Sequence, residues 1–416
     1  MSVKCMRYLV WNCVLISLLC SVSSADEFHY NNFLIGDRAS GMGGAYTAVS
    51  DDPSGLYYNP AGIVYATGRN LSASVNAYYS QKKTYDNVIG GQGWERDSSS
   101  LLPNFFGITQ PFGRFQFGFS YAVPDSILER QNQVFAGSFP TVLGSPATRY
   151  VINFNNEDNT YNMGPTLAAE INSKLSVGMT MYLYHRSSQT ILNQLITLQD
   201  GRFEWTNQYI NLVERGYKPI LGVMWSPLDK WTVGLSVSKT FLYSESRTGQ
   251  RTFKDANAVT PNDVTFSPDS TEGKRKFPLA VRAGAAYFAS SSLLVTLDGA
   301  YYTKVTDPVF GDRVSVLNGA LGAEYYPDKN WAVRAGLFTD LANTPELNPL
   351  GVGQSEKIDL YGASLSISNF TRNTSISFGG SVSTGSGKAQ IVSGSTSIQD
   401  ADISGWTLFL SSSYSY

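Results

Sequence analysis

From Asn70 onward, apolar and polar residues alternate with a period of two. Between Trp231 and Tyr243, the residues Trp231, Val233, Leu235, Val237, Phe241 and Tyr243 share one face, interrupted by Lys239. Thr232, Gly234, Ser236, Ser238 and Thr240 share the other. Leu175, Val177, Met179, Met181 and Leu183 repeat the pattern. Successive side chains of a strand point to opposite faces, so this spacing predicts strands with one apolar side. Fourteen such segments are expected, the first at 70–80 and the last at 403–416. Tight turns such as Pro111-Phe112-Gly113, Asn172-Ser173, Pro227-Leu228-Asp229 and Asp328-Lys329 alternate strictly with long connections at 81–100, 125–158, 187–215, 244–275, 305–312, 340–356 and 385–402. A soluble sandwich also alternates its side chains, but it does not sort short turns to one end and long loops to the other. That sorting predicts an all-β transmembrane antiparallel barrel of about 14 strands, with its turns in the periplasm and its loops outside.

Composition narrows the reading. The chain has 25 Tyr, 22 Phe and 38 Gly with only 15% charged residues, as suits a sheet whose outer face meets lipid. Residues 1–25 read as a signal peptide. Lys4 and Arg7 precede an apolar run from Tyr8 to Leu19, and Ser23-Ser24-Ala25 offers small residues for cleavage before Asp26. Cys5, Cys13 and Cys20 all lie in that segment, so no disulfide framework is expected after it. Without the signal, 29 basic residues stand against 33 acidic ones, and no basic patch points to nucleic acid. In the last strand, Trp406, Leu408, Leu410, Tyr414 and Tyr416 share a face, the form of terminal strand that barrel assembly machinery reads during biogenesis.

Residues 26–68 lack the alternation. They carry Gly36-Asp37-Arg38-Ala39-Ser40-Gly41-Met42-Gly43-Gly44, the acidic pair Asp51-Asp52, and Asn59-Pro60-Ala61. The glycine-rich run does not end in the Gly-Lys-Ser/Thr of a phosphate loop. Small residues and a turn signal instead suit short helices packed inside a barrel mouth. Three segments are therefore expected: signal peptide 1–25, an N-terminal hatch or plug at 26–68, and the barrel at 69–416.

The Gly-rich segment, the acidic pair and Asn59-Pro60-Ala61 just ahead of the first strand resemble the FadL family of outer-membrane transporters for long-chain fatty acids and aromatic hydrocarbons. The resemblance implies a channel for passive uptake of hydrophobic small molecules, with the hatch and a kinked third strand controlling exit. Gly113 and Gly118 bracket the expected kink. It also implies that the third and fourth external loops collect ligand. The third, at 187–215, carries Leu192, Leu195, Ile196, Leu198, Phe203 and Trp205, an apolar group suited to a binding surface. Some FadL-like barrels of other lineages, with a hatch like Ala39-Ser40-Gly41-Met42-Gly43, serve protein secretion or attachment. The alternative reading is therefore a secretion-linked or structural component that binds a protein.

No catalytic constellation emerges. His29 and His185 are the only histidines and neither has a recognisable nucleophile partner, so an enzyme is not expected. No metal or cofactor is expected either. On the inward faces, Arg282 and Asp298 lie at nearly equal distance from the turn at Ser290-Ser291, and Glu324 and Arg334 are similarly placed about Asp328-Lys329. Each pair is expected to meet across neighbouring strands. The expected partners are a hydrophobic small-molecule ligand and the lipids and lipopolysaccharide of the outer membrane.

Overall fold

The computed structural model describes residues 28–415 apart from 67, 142, 259, 261, 262, 270–272, 393 and 394. The expected signal peptide, Asp26, Glu27 and Tyr416 lie outside the described residues. One antiparallel sheet contains β1 (Asn70–Ile89), β2 (Gln92–Phe112), β3 (Phe115–Phe139), β4 (Ala147–Asn172), β5 (Leu175–Leu198), β6 (Phe203–Leu228), β7 (Trp231–Ser238), β8 (Phe241–Lys254), β9 (Thr265–Asp269), β10 (Ala280–Phe288), β11 (Leu293–Tyr302), β12 (Val316–Asp328), β13 (Trp331–Asp340), β14 (Lys357–Ile358), β15 (Leu360–Phe370), β16 (Thr374–Ala389) and β17 (Gln399–Ser415). Fourteen of these close a barrel in which β7 is followed by β10, β13 by β15, and β17 pairs back onto β1 from Asn70↔Ser415 to Tyr85↔Ala401. Closure leaves no strand of the wall with a wholly unpaired edge, as a sheet in hydrocarbon requires. β8 prolongs β7 along β6, β9 folds back on β8, and β14 prolongs β15.

Connections at one end are short. β2 and β3 are joined by Gly113 and Arg114, with Gly113 at φ 61, and β6 and β7 by Asp229 and Lys230. At the other end, the expected long loops at 81–100, 125–158 and 187–215 are largely strand, whereas 305–312 and 340–356 are not. Residues 81–100 form the paired ends of β1 and β2, turned at Gly90-Gly91, and 187–215 form the ends of β5 and β6. The alternation fades there for a physical reason. Above the membrane the outward face meets water, so polar residues occupy it, while inward charges are paired inside. Lys83 bonds Glu356 at 2.6 Å, Arg96 bonds Glu129 at 2.6 Å, and Arg186 bonds Asp158 at 2.5 Å.

Outward positions through the middle of the wall are exposed and apolar, as in Met179, Leu221, Leu235, Leu297 and Leu321. Aromatic rings border this band on both sides. Trp231 packs on Tyr287 at 4.7 Å near the short turns, and Tyr121, Tyr161 and His185 stack at 6.2 and 6.1 Å on the side of the band away from them. Such girdles sit at the two membrane interfaces.

The lumen holds two large apolar cores and a small third one of Leu56, Ile63 and Ala168. Towards the far rim, Tyr85, Trp94, Phe135, Phe154, Leu198 and Ile403 form an apolar cap. Nearer the short turns, residues 28–66 run inside the barrel with helix α1 (Asp37–Gly41), helix α2 (Gly55–Tyr58) and a 3₁₀ helix at Pro60–Tyr65. Their Ile35, Met42, Tyr46 and Tyr58 pack with Phe105, Tyr182 and Ile220 of the wall.

Candidate functional site

The hatch is fastened to the wall at several places. Asn59 is fully buried, and its Nδ2 donates to Thr47 O at 2.8 Å and to Val223 O of β6 at 3.0 Å. Its Oδ1 accepts from Ala61 N at 3.2 Å, capping the 3₁₀ helix that Pro60 starts. Ser176 Oγ donates to Ala61 O at 2.8 Å. Inward glycines let the hatch backbone lie directly on the strands. A Cβ on Gly222 would stand 2.1 Å from Asn59 Oδ1, and one on Gly234 only 2.0 Å from Thr47 O.

Charges do the rest of the fastening. Arg334 Nε donates to Glu324 at 2.7 Å, and Arg38 of α1 joins the same carboxylate at 2.6 Å while reaching Asp51 at 2.5 Å. The Arg282–Asp298 contact expected from the sequence is not formed. The ladder places Asp298 opposite Gly284 and Arg282 opposite Ala300, a two-residue shift from the spacing about Ser290-Ser291. Asp298 instead accepts from Tyr46 N at 2.9 Å and Thr47 N at 2.7 Å, holding the middle of the hatch. Asp52 of the hatch has its carboxyl pushed up to about 6 by burial, which nearby Arg38 only partly offsets.

Against the hatch lies a cavity of about 180 Å³. Tyr57, Tyr184, Phe277 and Tyr302 give it aromatic walls, and its charged lining includes Lys218 and Arg282 together with Arg275, Asp125 and Asp307. Lys218 Nζ lies 5.1 Å and Arg282 Cζ 5.7 Å from the ring of Tyr57. Arg282 also donates to Tyr302 Oη at 3.3 Å. Among the described residues neither cation has a carboxylate at ion-pair distance, unlike Arg186 and Arg275, which meet Asp158 and Glu214. Lys218 is not among the residues expected from the sequence. The signal was its parity with Ile220, Gly222 and Met224 on the inward face of β6.

The expected kink at Gly113 and Gly118 is elsewhere. Gly113 is a turn residue, and Gly118 is paired on both sides, to Thr109 and Thr166. A Cβ on Gly118 would stand 2.4 Å from Leu56 Cδ2, so this glycine makes room for the hatch. The β2–β3 ladder is interrupted farther up, between Phe105↔Ala122 and Ser98↔Glu129, and β3 shifts register against β4 between Ala122 and Asp125. Pro124 lies in this stretch and has no N–H to donate. The hatch spans the gap, with Phe33 N donating to Pro124 O at 3.2 Å and Asn104 Nδ2 donating to Leu34 O at 3.1 Å.

The expected apolar loop surface is also partly absorbed. Leu198 is buried in the cap, Leu192 and Ile196 pack against it, and Trp205 Nε1 donates to Asn193 at 2.9 Å. Leu195 is half-buried opposite Trp205, and Phe203 remains exposed beneath Lys254.

A closed fourteen-stranded wall, a lipid-facing girdle and a lumen filled by an N-terminal segment define an outer-membrane barrel of the plugged transporter class. The match of residues 16–240 to the model of the outer membrane protein transport protein family (OMPP1/FadL/TodX) places the chain in that family. Solved structures share the fold at low identity. The Pseudomonas putida toluene transporter TodX superposes with a TM-score of 0.64 at 14% identity over 93% of this chain and 99% of that one. The Ralstonia pickettii toluene transporter TbuX gives 0.61 at 15% identity, and a Pseudomonas aeruginosa FadL homologue 0.60 at 13%, each with the same coverage. No curated protein matches the sequence.

Proposed function

We propose that this barrel takes up a hydrophobic molecule with an acidic headgroup, of the long-chain fatty acid type, by passive diffusion through the lumen. The observation that carries this reading is the placement of Lys218 and Arg282 about Tyr57 in an aromatic-walled cavity, with no carboxylate at ion-pair distance from either among the described residues. Two basic side chains held in low dielectric with no carboxylate at ion-pair distance favour a ligand that brings an anion. Rings on the walls suit the apolar part. A neutral hydrocarbon would use the rings and offer neither basic group an anion. The gap between β2 and β3 at Pro124, spanned by residues 32–34 of the hatch, supplies a way out of the lumen without unfolding the wall.

Equilibrium binding tests this. The purified barrel is titrated with palmitate and, separately, with toluene. Replacing both Lys218 and Arg282 by Met should weaken palmitate binding at least tenfold and leave toluene unchanged. Equal loss for both ligands, or none for either, would overturn the acidic headgroup.

A further inference from the structure

The wall has a second interruption, on strands remote from β2 and β3. β7 and β10 pair in strict register from Trp231↔Tyr287 to Ser238↔Ala280. Continuing that register would set Thr240 opposite Pro278 and Leu242 opposite Lys276. No ladder forms there among the described residues. Pro278 has no N–H to donate. Leu279 turns both its backbone groups to Thr303, and Lys276 N donates to Asp307 Oδ2 at 3.0 Å. On the other flank, β6 pairs β7 up to Ile220↔Ser238 and β8 from Tyr217↔Phe241, so Lys239 and Thr240 stand out of the ladder opposite Lys218 and Pro219. Above the break the wall is tied again, by Lys274 Nζ to Tyr243 O at 2.8 Å and Arg275 N to Glu245 at 2.9 Å.

The result is a slot about four residues long on each edge, 239–242 and 276–279. Its rim carries Phe241 and Tyr243, exposed at the outer aromatic girdle beside Tyr217. Thr240, Phe277 and Pro278 of its edges line the cavity that holds Lys218 and Arg282. Lys239 and Lys276 flank it. The far axial end of the lumen is filled by the cap around Trp94, Phe135 and Phe154, built by β1–β5 and β14–β17.

We infer that this slot is a lateral doorway through which an amphiphilic carboxylate enters the lumen at outer-leaflet level, headgroup first, from Lys239 and Lys276 to Lys218 and Arg282. An alkyl tail can stay among the rings of the girdle while the headgroup passes inward, so the tail never crosses water. The inference rests on the acidic ligand proposed above. The opening at β3 would then serve exit, since Asp125 there and Thr240 here line one cavity.

The test bridges the slot chemically. Residues 21–416 contain no cysteine, so Thr240→Cys with Pro278→Cys gives a unique pair to span with a short bis-maleimide. The same barrel is measured in proteoliposomes before and after bridging, which cancels the effect of the substitutions. A control pair, Leu235→Cys with Ala283→Cys, bridges residues already opposite in the ladder. Palmitate is supplied in the outer leaflet, and both its loading rate and its equilibrium affinity are read. Bridging the slot should slow loading at least tenfold, leave affinity unchanged, and have no counterpart in the control. Loading as fast after bridging as before would overturn the doorway while leaving the acidic ligand standing. Absence of palmitate binding by every form would overturn the ligand and the doorway with it.

Discussion

The joint between Asn59 and β6 can be taken apart by a double-mutant cycle. Asn59→Ala removes three hydrogen bonds, to Thr47 O, to Val223 O and from Ala61 N. At a net value of about 1 kcal/mol each, the hatch end loses about 2–3 kcal/mol of docking. Gly222→Ala acts from the other side of the same contact. Its Cβ would stand 2.1 Å from Asn59 Oδ1, so the amide must retreat, at a cost of about 1–3 kcal/mol for overpacking and strained bonds. Combined, the two should not add. Once Asn59 is replaced, the oxygen that the new methyl on β6 would strike is gone, and the remaining contacts, at 2.9 Å to Pro60 Cδ and 3.1 Å to Ala61 N, are milder. Hydrogen exchange at the Ala61 and Gly62 amides reads the docking directly, since these donate to Asn59 Oδ1 and Asn59 O. Asn59→Ala should lower protection at Ala61 by roughly 30- to 150-fold, each 1.4 kcal/mol being tenfold. The barrel should stay heat-resistant, because the hatch adds no strand to the closed ladder. Strict additivity of the two substitutions, or unchanged protection at Ala61 in Asn59→Ala, would refute the joint.

Two further outcomes follow from the hatch contacts. Gly118→Val should push Leu56 off β3 and raise open-channel conductance, and Leu56→Ala in the same barrel should restore the wild-type value; conductance unmoved by either change would remove this contact from the gating of the lumen. Asp52 titrates near 6 in the hatch against 3.8 as its ordinary value, so the folded state holds its proton more tightly. Its contribution to docking is therefore full below about pH 4 and is lost as pH rises through 6. Exchange protection across residues 50–58 should fall over that window, and Asp52→Asn should abolish the slope; a slope that persists in Asp52→Asn would assign the titration to another group.

How much of this was legible in the sequence depends on what each side chain faces. Strands crossing lipid are unmistakable, because their outward positions must be apolar while the inward ones are free to be Thr, Ser or Gly, as in Trp231 to Ser238. The same strands above the membrane read as loops. There Lys82, Glu95 and Asp97 face water while Lys83 and Arg96 are buried against Glu356 and Glu129, so polar residues occupy both faces and the period of two disappears. Pairing of inward charges was legible only where the turn was tight. Asp328-Lys329 keeps Glu324 opposite Arg334, whereas the looser connection at 289–292 slides Asp298 away from Arg282 and under the hatch.

The misplaced kink shows the limit most clearly. A glycine inside a strand is ambiguous in sequence, since it can mark either a bend or the close approach of another backbone. Here Gly118, Gly178, Gly222 and Gly234 all mark approach: Leu56, Pro60, Asn59 and Thr47 respectively occupy the space a Cβ would fill. Their ladders are intact. A proline is less ambiguous where its missing N–H would have faced a neighbouring strand. Pro124 and Pro278 stand at the two openings, and Pro219 lies opposite the Lys239-Thr240 break. In this wall the inward glycines trace the outline of the hatch and these prolines mark the doors. A sequence lacking all three prolines but keeping the glycines would then fold into a plugged barrel with no lateral route through its side.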